Sequence, residues 1–520
     1  MKWEMVAGLE THVELSTKTK IFCACPTHFG GEPNSHCCPI CTGQPGSLPL
    51  LNNSVVSYAA MAGLALGCHI NNYSIMARKH YVYPDLPKAY QISQYDKPLC
   101  VGGAVEISGG RSIRITRIHI EEDAGKLIHT GDAVLIDYNR GGVPLIEIVS
   151  EPDFRNGTEA VEYLEKLQAI LRAIGISDCR MQEGSLRCDV NISLRPEGCE
   201  TLGTRTEIKN LNSFTSVAAA IEYEYMRQMK LLDIDGDIVQ ETRGWNADTG
   251  ETTSRRSKED ANEYRYFPEP DIGEIYISDE EIRQLRHMLP ELPDEKYERY
   301  VNKLGIPRAD AKLLTKYGKV SEYFESACMA ATSGEATHGE ATQGEATHGE
   351  ATHGEAMPEE TTRGEAIYRK AASEDTMRET SAIPKTVASF MVMQMFAMIT
   401  TEVQRENWSP KTTVSQLGAL VRLLESGKLS RNIAKRVFAQ MLETGSDAEA
   451  FITDDDTIEF SGETLAKLCS EVIKQNPKPV SDYRAGKEKA IKSLVGAVMR
   501  DSKGRADAIE AERILKIQLE

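Results

Sequence analysis

Two closely spaced cysteine pairs in one loop have the spacing of a metal site. The first pair reads Cys23-Ala-Cys25 and the second reads Cys38-Pro-Ile-Cys41. Two such pairs can place four thiolates around one Zn²⁺ in a tetrahedron, at Zn–S distances of about 2.3 Å. Because four sulfur ligands leave no open position, the pattern predicts a structural zinc. Cys37 is a substitute ligand or a free thiol, and four reduced cysteines without a metal are the alternative.

Charged side chains recur at every second position of several segments that read as strands. Alternate residues of a strand share one face of a sheet. The residues placed on such faces are Glu10, His12 and Glu14; Arg187, Asp189, Asn191 and Arg195; Arg205, Glu207 and Lys209; Glu147 and Glu151; with Glu121, Glu122 and Asp123 near His119. Converging carboxylates repel unless cations are present, so the pattern predicts Mg²⁺ held together with nucleotide phosphates. Arg187 and Lys209 would neutralise the transferring phosphoryl group. A solvated face with surface ion pairs is the alternative.

The stretch from Arg78 to Gln94 interleaves basic and aromatic side chains. It contains Lys79, Tyr81 and Tyr83. Aromatic rings among basic groups can stack a base or the terminal adenosine of an RNA while its phosphates are neutralised. Tyrosines packed in a loop are the alternative. The sequence contains no P-loop, so ATP would be bound by a metal-lined sheet.

The elements that must position these residues belong to an α+β domain over residues 1–277. The predicted strands are Glu4–Leu15, Ser112–Glu122, Ala133–Asp137, Pro144–Val149, Leu186–Leu194 and Thr204–Lys209. The predicted helices are Val55–Leu66, Ala160–Ile174 and Val217–Leu232. Strands separated by turns, with helices added in blocks, predict a largely antiparallel sheet.

The remainder of the chain reads as helical, with a domain over 278–452 and a small tail over 453–520. Helices are predicted at Val414–Leu424 and Ser430–Thr444, and a buried, Met-rich helix at Val387–Ile399. A Gly-Glu-Ala-Thr-His/Gln repeat with a five-residue period fills about 333–366. That period fits neither a helix nor a strand, so we interpret it as a disordered acidic insertion without function.

Composition and charge limit the function further. The 520 residues carry a net charge of −18, which argues against a generally basic nucleic-acid coat. The tail nevertheless has a local net positive charge. It contains Arg484, Lys487, Lys489, Lys492, Arg500, Lys503 and Arg505 against Glu488 and Asp501. This predicts phosphate contact, with a solvated helix face as the alternative. A membrane-spanning helix needs about 20 apolar residues, and no such stretch or secretory segment is present. We therefore expect a cytoplasmic protein without a membrane partner.

Long motifs resemble one family over nearly the whole chain, the repeat excepted. They are GLETHVEL, FCAC…CPIC, RKHYVYPDLPKAYQISQ, HIEEDAGK, DYNRGGVPLIEIVSEPD, EGSLRCDVNIS, EIKNLNSF, YRYFPEPD and YRAGKEKAIKSLVGAVMRDSKGRAD. Together they resemble the B subunit of the aspartyl/glutamyl-tRNA amidotransferases, which are glutamine-dependent tRNA amidotransferases.

The resemblance implies one member of a heterotrimer that converts Glu-tRNA(Gln) or Asp-tRNA(Asn) to the amide form. The glutaminase (A-type) subunit would release ammonia from glutamine, and a small (C-type) subunit would join the other two. The B subunit would bind the misacylated tRNA, phosphorylate its side-chain carboxylate with ATP and let ammonia displace phosphate. The implied catalytic domain is of the glutamine synthetase type, followed by an all-α domain and a tail that contacts tRNA.

The resemblance also implies site residues. The Mg²⁺ and phosphoryl site would comprise Glu10, His12, Glu122, Glu147, Asp189 and Glu207. Glu10 and His12 are also candidate catalytic residues, with Arg187 and Lys209 added for phosphate neutralisation. Lys79, Tyr81, Tyr83, Lys487, Lys489 and Lys492 are the candidates for nucleotide and tRNA contact. The zinc would be structural.

A zinc-stabilised tRNA-binding module without chemistry of its own is the alternative function. It would keep the cysteine loop and the tail but would need no converging carboxylates. The presence of Glu10, His12, Asp189 and Glu207 favours the enzyme. The repeat departs from the family pattern, and its effect depends on whether it lengthens a surface loop or replaces a helix that docks tRNA.

Overall fold

The chain forms two compact units. The computed structural model describes residues 2–257, 264–333, 382–453, 456, 462–502, 506 and 508–519. The first unit comprises Met1–Pro293 and the second comprises Asp294–Glu520. The five-residue repeat lies outside the described residues, so its interpretation stays a prediction.

The described part of the first unit contains seventeen strands, six of which the sequence pattern predicted. They are β1 (Trp3–Glu14), β2 (His69–Ile70), β3 (Tyr73–Ser74), β4 (Ala77–His80), β5 (Tyr90–Ser93), β6 (Cys100–Val101), β7 (Ala104–Ile107), β8 (Arg111–Glu122), β9 (Lys126–Thr130), β10 (Ala133–Asp137), β11 (Pro144–Ser150), β12 (Leu186–Pro196), β13 (Thr206–Leu211), β14 (Glu241–Asn246), β15 (Glu251–Ser257), β16 (Phe267–Pro268) and β17 (Ile275–Tyr276). All six predicted strands are confirmed, as β1, β8, β10, β11, β12 and β13, and the other eleven, β14 and β15 among them, were not predicted.

One large sheet organises this unit. Its strands run in the order β15-β14-β13-β12-β1-β11-β8-β6-β2, and β7 also pairs with β8. Neighbouring strands are antiparallel except for β13 and β14, which are parallel. The predicted largely antiparallel α+β architecture is therefore confirmed. β1 lies near the middle, between β11 and β12.

Alternation along the strands gives the sheet one apolar face. On β12, Leu186, Cys188, Val190 and Ile192 are buried while the charged residues between them stay partly exposed. The helices of this unit are α1 (Asn53–Ala65), α2 (Gly157–Ala173), α3 (Phe214–Leu232) and α4 (Asp279–Met288). α2 and α3 pack on each other, and α3 packs on β12. This packing covers the apolar face, and the polar side chains project from the other face of the sheet.

Local sequence sets where these helices begin. Asn52, Asn156 and Ser213 accept backbone N–H groups of the first turns of α1, α2 and α3. Ser278 and Glu281 form a capping box at α4. α4 packs against α1, so the first unit extends beyond the predicted boundary at residue 277. The three-domain division stays a prediction.

The described part of the second unit is helical. Its α-helices are α5 (Pro293–Asn302), α6 (Arg308–Thr315), α7 (Gly318–Ser333), α8 (Ala382–Phe390), α9 (Phe396–Met398), α10 (Glu402–Glu406), α11 (Val414–Glu425), α12 (Arg431–Thr444), α13 (Gly462–Gln475), α14 (Pro477–Arg484), α15 (Ile491–Asp501) and α16 (Ala508–Leu519). Met391–Met395 is a π-helical turn between α8 and α9. Met391, Met395 and Phe396 are buried, as predicted for the Met-rich segment. None of the described helices is long and apolar enough to cross a membrane.

Candidate metal and phosphoryl-transfer site

The register around β1 brings the predicted site strands together. Glu10 lies opposite Asp189 on β12, and His12 lies opposite Arg187 on β12 and Glu147 on β11. Because these pairs have the same parity, their side chains project from the same face of the sheet. The sequence predicted which residues share a face within each strand, and the strand order now places those faces side by side.

Glu10, Asp189 and Glu207 form a first carboxylate cluster. One ligand oxygen from each lies within 4.8 Å of the others. Lys209, on the same strand as Glu207, projects into the group, with Nζ 2.7 Å from Asp189 Oδ2 and 2.9 Å from Glu207 Oε1. Three of the predicted ligands and the predicted phosphate-neutralising lysine therefore meet at one point.

Burial and neighbouring charges shift the pKa values of the first carboxylate cluster in different directions. Burial raises the pKa of Glu10, and the negative charge of Glu147 raises it further. Burial also raises the pKa of Glu207, but the Lys209 ammonium outweighs it and holds that pKa below its usual range. Burial lowers the pKa of Lys209, while Asp189 and Glu207 together raise it above its ordinary value. A divalent cation would relieve the repulsion at Glu10.

His12, Glu121 and Glu147 form a second cluster beside the first. Their ligand atoms also lie within 4.8 Å of one another. His12 Nε2 lies 3.4 Å from Glu121 Oε1 and 3.6 Å from Glu147 Oε2. The buried His119, on β8, places Nε2 3.1 Å from Glu147 Oε2. The neighbouring positions of Glu10 and His12 on β1 join the two clusters into one surface.

The two acidic groups of the second cluster shift the pKa of His12. Burial lowers that pKa, but the hydrogen bond with Glu147 and the charge of Glu121 raise it to about 9. Burial raises the pKa of Glu147, and its hydrogen bonds with His119 and His12 nevertheless bring it well below its usual range. The carboxylates of Glu121 and Glu147 therefore concentrate negative charge beside His12.

Glu122 does not join either cluster, because it follows Glu121 on β8 and points to the opposite face. Its carboxylate accepts hydrogen bonds from Lys88 Nζ at 2.6 Å and from the backbone N–H of Ile92 at 2.9 Å. The sequence motif contains two adjacent glutamates, and alternation alone could not say which one faces His12. Glu121 occupies the position that was predicted for Glu122. Lys88 and Glu122 instead line a cavity of about 230 Å³ together with part of the cysteine loop.

Arg187 lies at the edge of the second cluster and forms an ion pair with Asp123. Its Nη2 is 2.8 Å from Asp123 Oδ2, and Arg140 Nε is 3.2 Å from the same oxygen. Burial and the Asp123 charge raise the pKa of the adjacent Glu14 to about 8. Arg187 is thus on the predicted face and partly exposed, and it is held by Asp123.

Only some residues of the basic and aromatic stretch contact one another near the site. Lys79 Nζ lies 5.0 Å from the ring centre of Tyr264 and 5.9 Å from that of Tyr81. Burial lowers the pKa of Lys79, but the charge of Glu121, first among the groups that oppose it, raises that pKa overall. Tyr83 is 54% exposed and has no ring partner among the described residues.

The sequence interpretation missed the aromatic residues that complete this region. Tyr264 stands edge-on to Tyr81, and Tyr266 stacks on Tyr95 with ring centres 4.2 Å apart. The signal was present in the YRYFPEPD motif, which entered the sequence interpretation only as one of the motifs of the family resemblance. β16 within this motif pairs with β4, which carries Lys79.

The cysteine loop has the geometry of a metal site. One sulfur from each of Cys23, Cys25, Cys38 and Cys41 lies within 4.8 Å of the others. Cys37 is not a member of this group; its Sγ lies 3.9 Å from Asn139 Oδ1. The backbone N–H of Cys38 donates to Cys41 Sγ at 3.1 Å, and a hydrogen bond from Cys23 lowers the pKa of Cys41 to about 4. Four convergent sulfurs fit a tetrahedral Zn²⁺.

The tail lysines are accessible to a large ligand. Lys487, Lys489 and Lys492 are exposed, and Lys487 is paired with Asp482 at 3.0 Å. Lys503 and Arg505, which extended the predicted basic group, lie outside the described residues.

Comparison with known families and proteins now identifies the chain's relatives. Residues 5–283 match the GatB/GatE catalytic domain, and residues 374–519 match the GatB domain. The B subunit of the aspartyl/glutamyl-tRNA(Asn/Gln) amidotransferase of Thermoanaerobacter pseudethanolicus is 46% identical over 100% of both chains. The chain belongs to this B subunit family. Proteins of the same name from Caldicellulosiruptor saccharolyticus (46% identical, 100% of both chains) and Thermodesulfovibrio yellowstonii (42%, 99% of both chains) are also similar to it.

Membership of the B subunit family confirms the resemblance drawn from the motifs. The first family match contains both carboxylate clusters and the cysteine loop, and the second contains the basic tail. The five-residue repeat lies between the two matches. The relatives are named as one subunit of an amidotransferase, which implies a complex with other subunits.

Proposed function

We propose that this chain is the tRNA-binding, ATP-dependent member of a heterotrimeric amidotransferase. It would phosphorylate the side-chain carboxylate of Glu-tRNA(Gln) or Asp-tRNA(Asn). The observation that supports this proposal best is the pair of adjoining clusters on the polar face of the sheet, one with Glu10, Asp189 and Glu207 and the other with His12, Glu121 and Glu147. A binding module without chemistry has no need to gather so much negative charge.

The clusters fit Mg²⁺ by their donor sets. Oxygen ligands dominate both groups, as hard divalent cations require. Burial raises the pKa of Glu10, and the nearby charge of Glu147 raises it further. Bound Mg²⁺ would neutralise the phosphates of ATP and the charge that develops on the transferring phosphoryl group.

The chain's own cations would act on the same phosphates. Lys209 lies inside the first carboxylate cluster and Arg187 lies at the edge of the second. Lys79 lies close enough to Glu121 for that charge to raise its pKa, so it borders the second cluster. This use of an antiparallel, metal-lined sheet for carboxylate phosphorylation would be of the glutamine synthetase type.

The reaction has two bond exchanges. A carboxylate oxygen of the aminoacyl group attacks the γ-phosphorus of ATP, and the bond to ADP breaks. Ammonia from the glutaminase subunit then attacks the carbonyl carbon of the acyl phosphate, loses a proton and expels inorganic phosphate. Phosphorylation turns a poor leaving group into a good one, so a neutral amine can complete the exchange.

The remaining features would serve tRNA binding and assembly. Lys487, Lys489 and Lys492 would contact tRNA phosphates, while Tyr81 and Tyr83 would lie beside the acceptor end. The cysteine loop would hold a structural Zn²⁺. The glutaminase subunit and the small third subunit would complete the complex in the cytoplasm.

The experiment compares Asp189→Ala with the unmodified chain in a complex reconstituted with the glutaminase subunit and the small third subunit. Mg²⁺, labelled ATP and misacylated tRNA are supplied, and ADP, amidated tRNA and bound tRNA are measured. We expect Asp189→Ala to bind tRNA normally and to lose amidation by about 100-fold or more. Glu197→Ala is the matched control, because Glu197 is an exposed acid just beyond the end of β12.

Two results would contradict the proposal. If Asp189→Ala amidates as well as Glu197→Ala, the carboxylates are a solvated sheet face. If neither the unmodified chain nor the variants form ADP while all of them bind tRNA, the zinc-stabilised binding module is the better description.

A further inference from the structure

Two neutral side chains donate hydrogen bonds to carboxylates of the first cluster. Asn191 Nδ2 donates to Glu10 Oε1 at 2.8 Å. Thr242 Oγ1 donates to Glu207 Oε2 at 2.7 Å. Asn191 lies on β12 and Thr242 lies on β14, so the donors approach the cluster from two different strands.

These donors differ from Lys209 in what they do to the cluster. Lys209 neutralises Asp189 and Glu207, which competes with a bound cation for the same charge. A neutral donor fixes the direction of a carboxylate and leaves its negative charge available. Hydrogen bonds of this kind hold metal-ligating carboxylates in place in other sites, and their loss typically weakens metal binding.

Each donor also occupies one oxygen of its partner. Glu10 has no side-chain hydrogen bond other than that from Asn191 within the part of the chain that the structure describes. Its other oxygen is therefore left for a ligand. Glu207 accepts from Thr242 on Oε2 and faces Lys209 with Oε1. Movement of the Lys209 ammonium towards a phosphate would free that oxygen while Thr242 keeps the carboxylate in position.

A buried network fixes the strand that carries Thr242. β14 is the strand that pairs in parallel with β13, in a register that sets Thr242 opposite Glu207. The next residue, Arg243, points to the opposite face, where its Nε lies 3.5 Å from Oε2 of the fully buried Glu224 of α3. Arg243 also donates to the hydroxyl of Thr252 at 2.8 Å. Thr242 is thus presented by a strand that a helix holds from behind.

We infer that Asn191 and Thr242 are positioning residues that set the carboxylates of Glu10 and Glu207 for a divalent cation. This inference rests on the proposed function, because it takes the first carboxylate cluster as the cation site. The inference also gives β14 a part in cation binding, although this strand carries none of the predicted ligands.

The test for Thr242 measures cation binding directly. The full-length chain is titrated with Mn²⁺, and bound Mn²⁺ is followed by electron paramagnetic resonance. We expect Thr242→Val to weaken Mn²⁺ binding by about 10- to 100-fold, since it removes only the hydroxyl, and Thr242→Ser to restore it. Thr116→Val is the matched control, because Thr116 Oγ1 donates to Glu151 at the same 2.7 Å and neither residue belongs to a cluster.

The test for Asn191 is independent. Asn191→Leu removes the amide at similar volume, and we expect it to weaken Mn²⁺ binding in the same range. Its control is Asn302→Leu, since Asn302 Nδ2 donates to Glu298 at 2.6 Å on the surface of α5. In the reconstituted complex, both site variants should raise the Mg²⁺ concentration needed for half-maximal amidation. The rate at saturating Mg²⁺ should change less.

The outcomes separate this inference from the proposed function. Both clusters are candidate Mn²⁺ sites, so Glu207→Gln should remove only the Mn²⁺ bound at the first carboxylate cluster. If it does so but Thr242→Val behaves as Thr116→Val does, the inference is overturned and the cation site stands. If Glu207→Gln leaves the number and the affinity of bound Mn²⁺ ions unchanged, the proposed function itself fails. If Thr242→Val and Thr242→Ser lose binding equally and both melt at lower temperature, the hydroxyl has no positioning role and the inference is again overturned.

Discussion

At the scale of single residues, Lys209 offsets negative charge in the first carboxylate cluster. Its ammonium lies between two candidate cation ligands, at 2.7 Å from Asp189 and 2.9 Å from Glu207. In the absence of a divalent cation it offsets part of the repulsion within the cluster. During phosphoryl transfer the same ammonium would be drawn to the phosphate. One residue would therefore stabilise the resting site and the reacting phosphate in turn.

Lys209→Met should separate cation binding from chemistry. Loss of the ammonium leaves the acids of the first carboxylate cluster more negative, so we expect Mn²⁺ to bind roughly 10-fold more tightly without nucleotide. Amidation at saturating Mg²⁺ and ATP should instead fall by about 100-fold. Mn²⁺ titration and a tRNA amidation assay check the two effects. Lys97→Met is the control, because Lys97 is exposed and distant from the acids in sequence. Weaker Mn²⁺ binding in Lys209→Met would contradict this account.

Lys20 would offset the charge of the cysteine loop as Lys209 offsets that of the first carboxylate cluster. It is fully buried, and its Nζ donates to the carbonyl of Tyr138 at 3.1 Å. No carboxylate forms an ion pair with it among the described residues. It lines the same cavity as Cys23 and Cys41, and its charge lowers the pKa of Cys41, after the larger effect of Cys23. Four thiolates and one Zn²⁺ carry a net charge of about −2, which a buried ammonium would partly balance.

Lys20→Met should therefore weaken zinc retention. We expect zinc to be lost to a competing chelator at roughly 10-fold lower chelator concentration, because the charge that balances the thiolates is gone. Zinc release is followed with a colorimetric chelator. Lys18→Met, at an exposed position on the same segment, should retain zinc as the unmodified chain does. Equal release from both variants would show that Lys20 is buried for packing alone.

At the scale of elements, the helices on one face of the sheet support the chemistry on the other. α2 buries Leu164, Leu167 and Leu171 at helical spacing. Complete burial of a leucine contributes about 1.5–3 kcal/mol. Because the apolar residues of β12 alternate with Arg187 and Asp189, a shift of this strand by one residue in register would turn its charged residues to the opposite face of the sheet.

Leu164→Ala tests this support. Leu164 is fully buried, so we expect its truncation to lower the free energy of unfolding by about 2–5 kcal/mol. Thr158→Ala, at an exposed position in the same helix, should change it by less than about 0.5 kcal/mol. Denaturant unfolding of the full-length chain measures both. A small loss for Leu164→Ala would mean that the neighbouring side chains close the cavity.

The elements also show what the sequence can predict and what it cannot. Alternation placed Glu10 with His12 and Asp189 with Arg187, because side-chain direction in a strand is a local property. It could not choose between Glu121 and Glu122, which are adjacent and belong to opposite faces. It also gave no sign of Thr242, because β14 joins the sheet by a parallel pairing that depends on a long connection. Strand order is non-local, so only the structure could bring these faces together.

At the scale of the whole molecule, charge is distributed unevenly. The chain carries a net charge of −18, and yet its tail exposes Lys487, Lys489 and Lys492. An acidic body repels a polyanion, so a basic tail would both attract tRNA and orient it. Phosphate contacts of this kind release counterions, which makes the affinity depend on salt.

Replacing the three tail lysines by alanine should weaken tRNA binding without impairing the chemistry. Each lost contact should lower the slope of log affinity against log salt by about 0.7–0.9, so we expect a total change of about 2 to 3. In the amidation assay, KM for misacylated tRNA should rise while kcat stays close to that of the unmodified complex. Binding titrations at several salt concentrations, combined with amidation kinetics, check this prediction.

A charge-matched variant distinguishes contact from general attraction. It replaces exposed lysines of the first unit by alanine, namely Lys18, Lys97 and Lys126. Both variants change the net charge equally, so a long-range field would shift tRNA affinity equally in both. Direct phosphate contact would lower the salt slope only in the tail variant, because counterions are released only where a lysine meets a phosphate. Equal slopes would show that the tail acts through the field of the molecule, and the tail lysines would then be a solvated helix face.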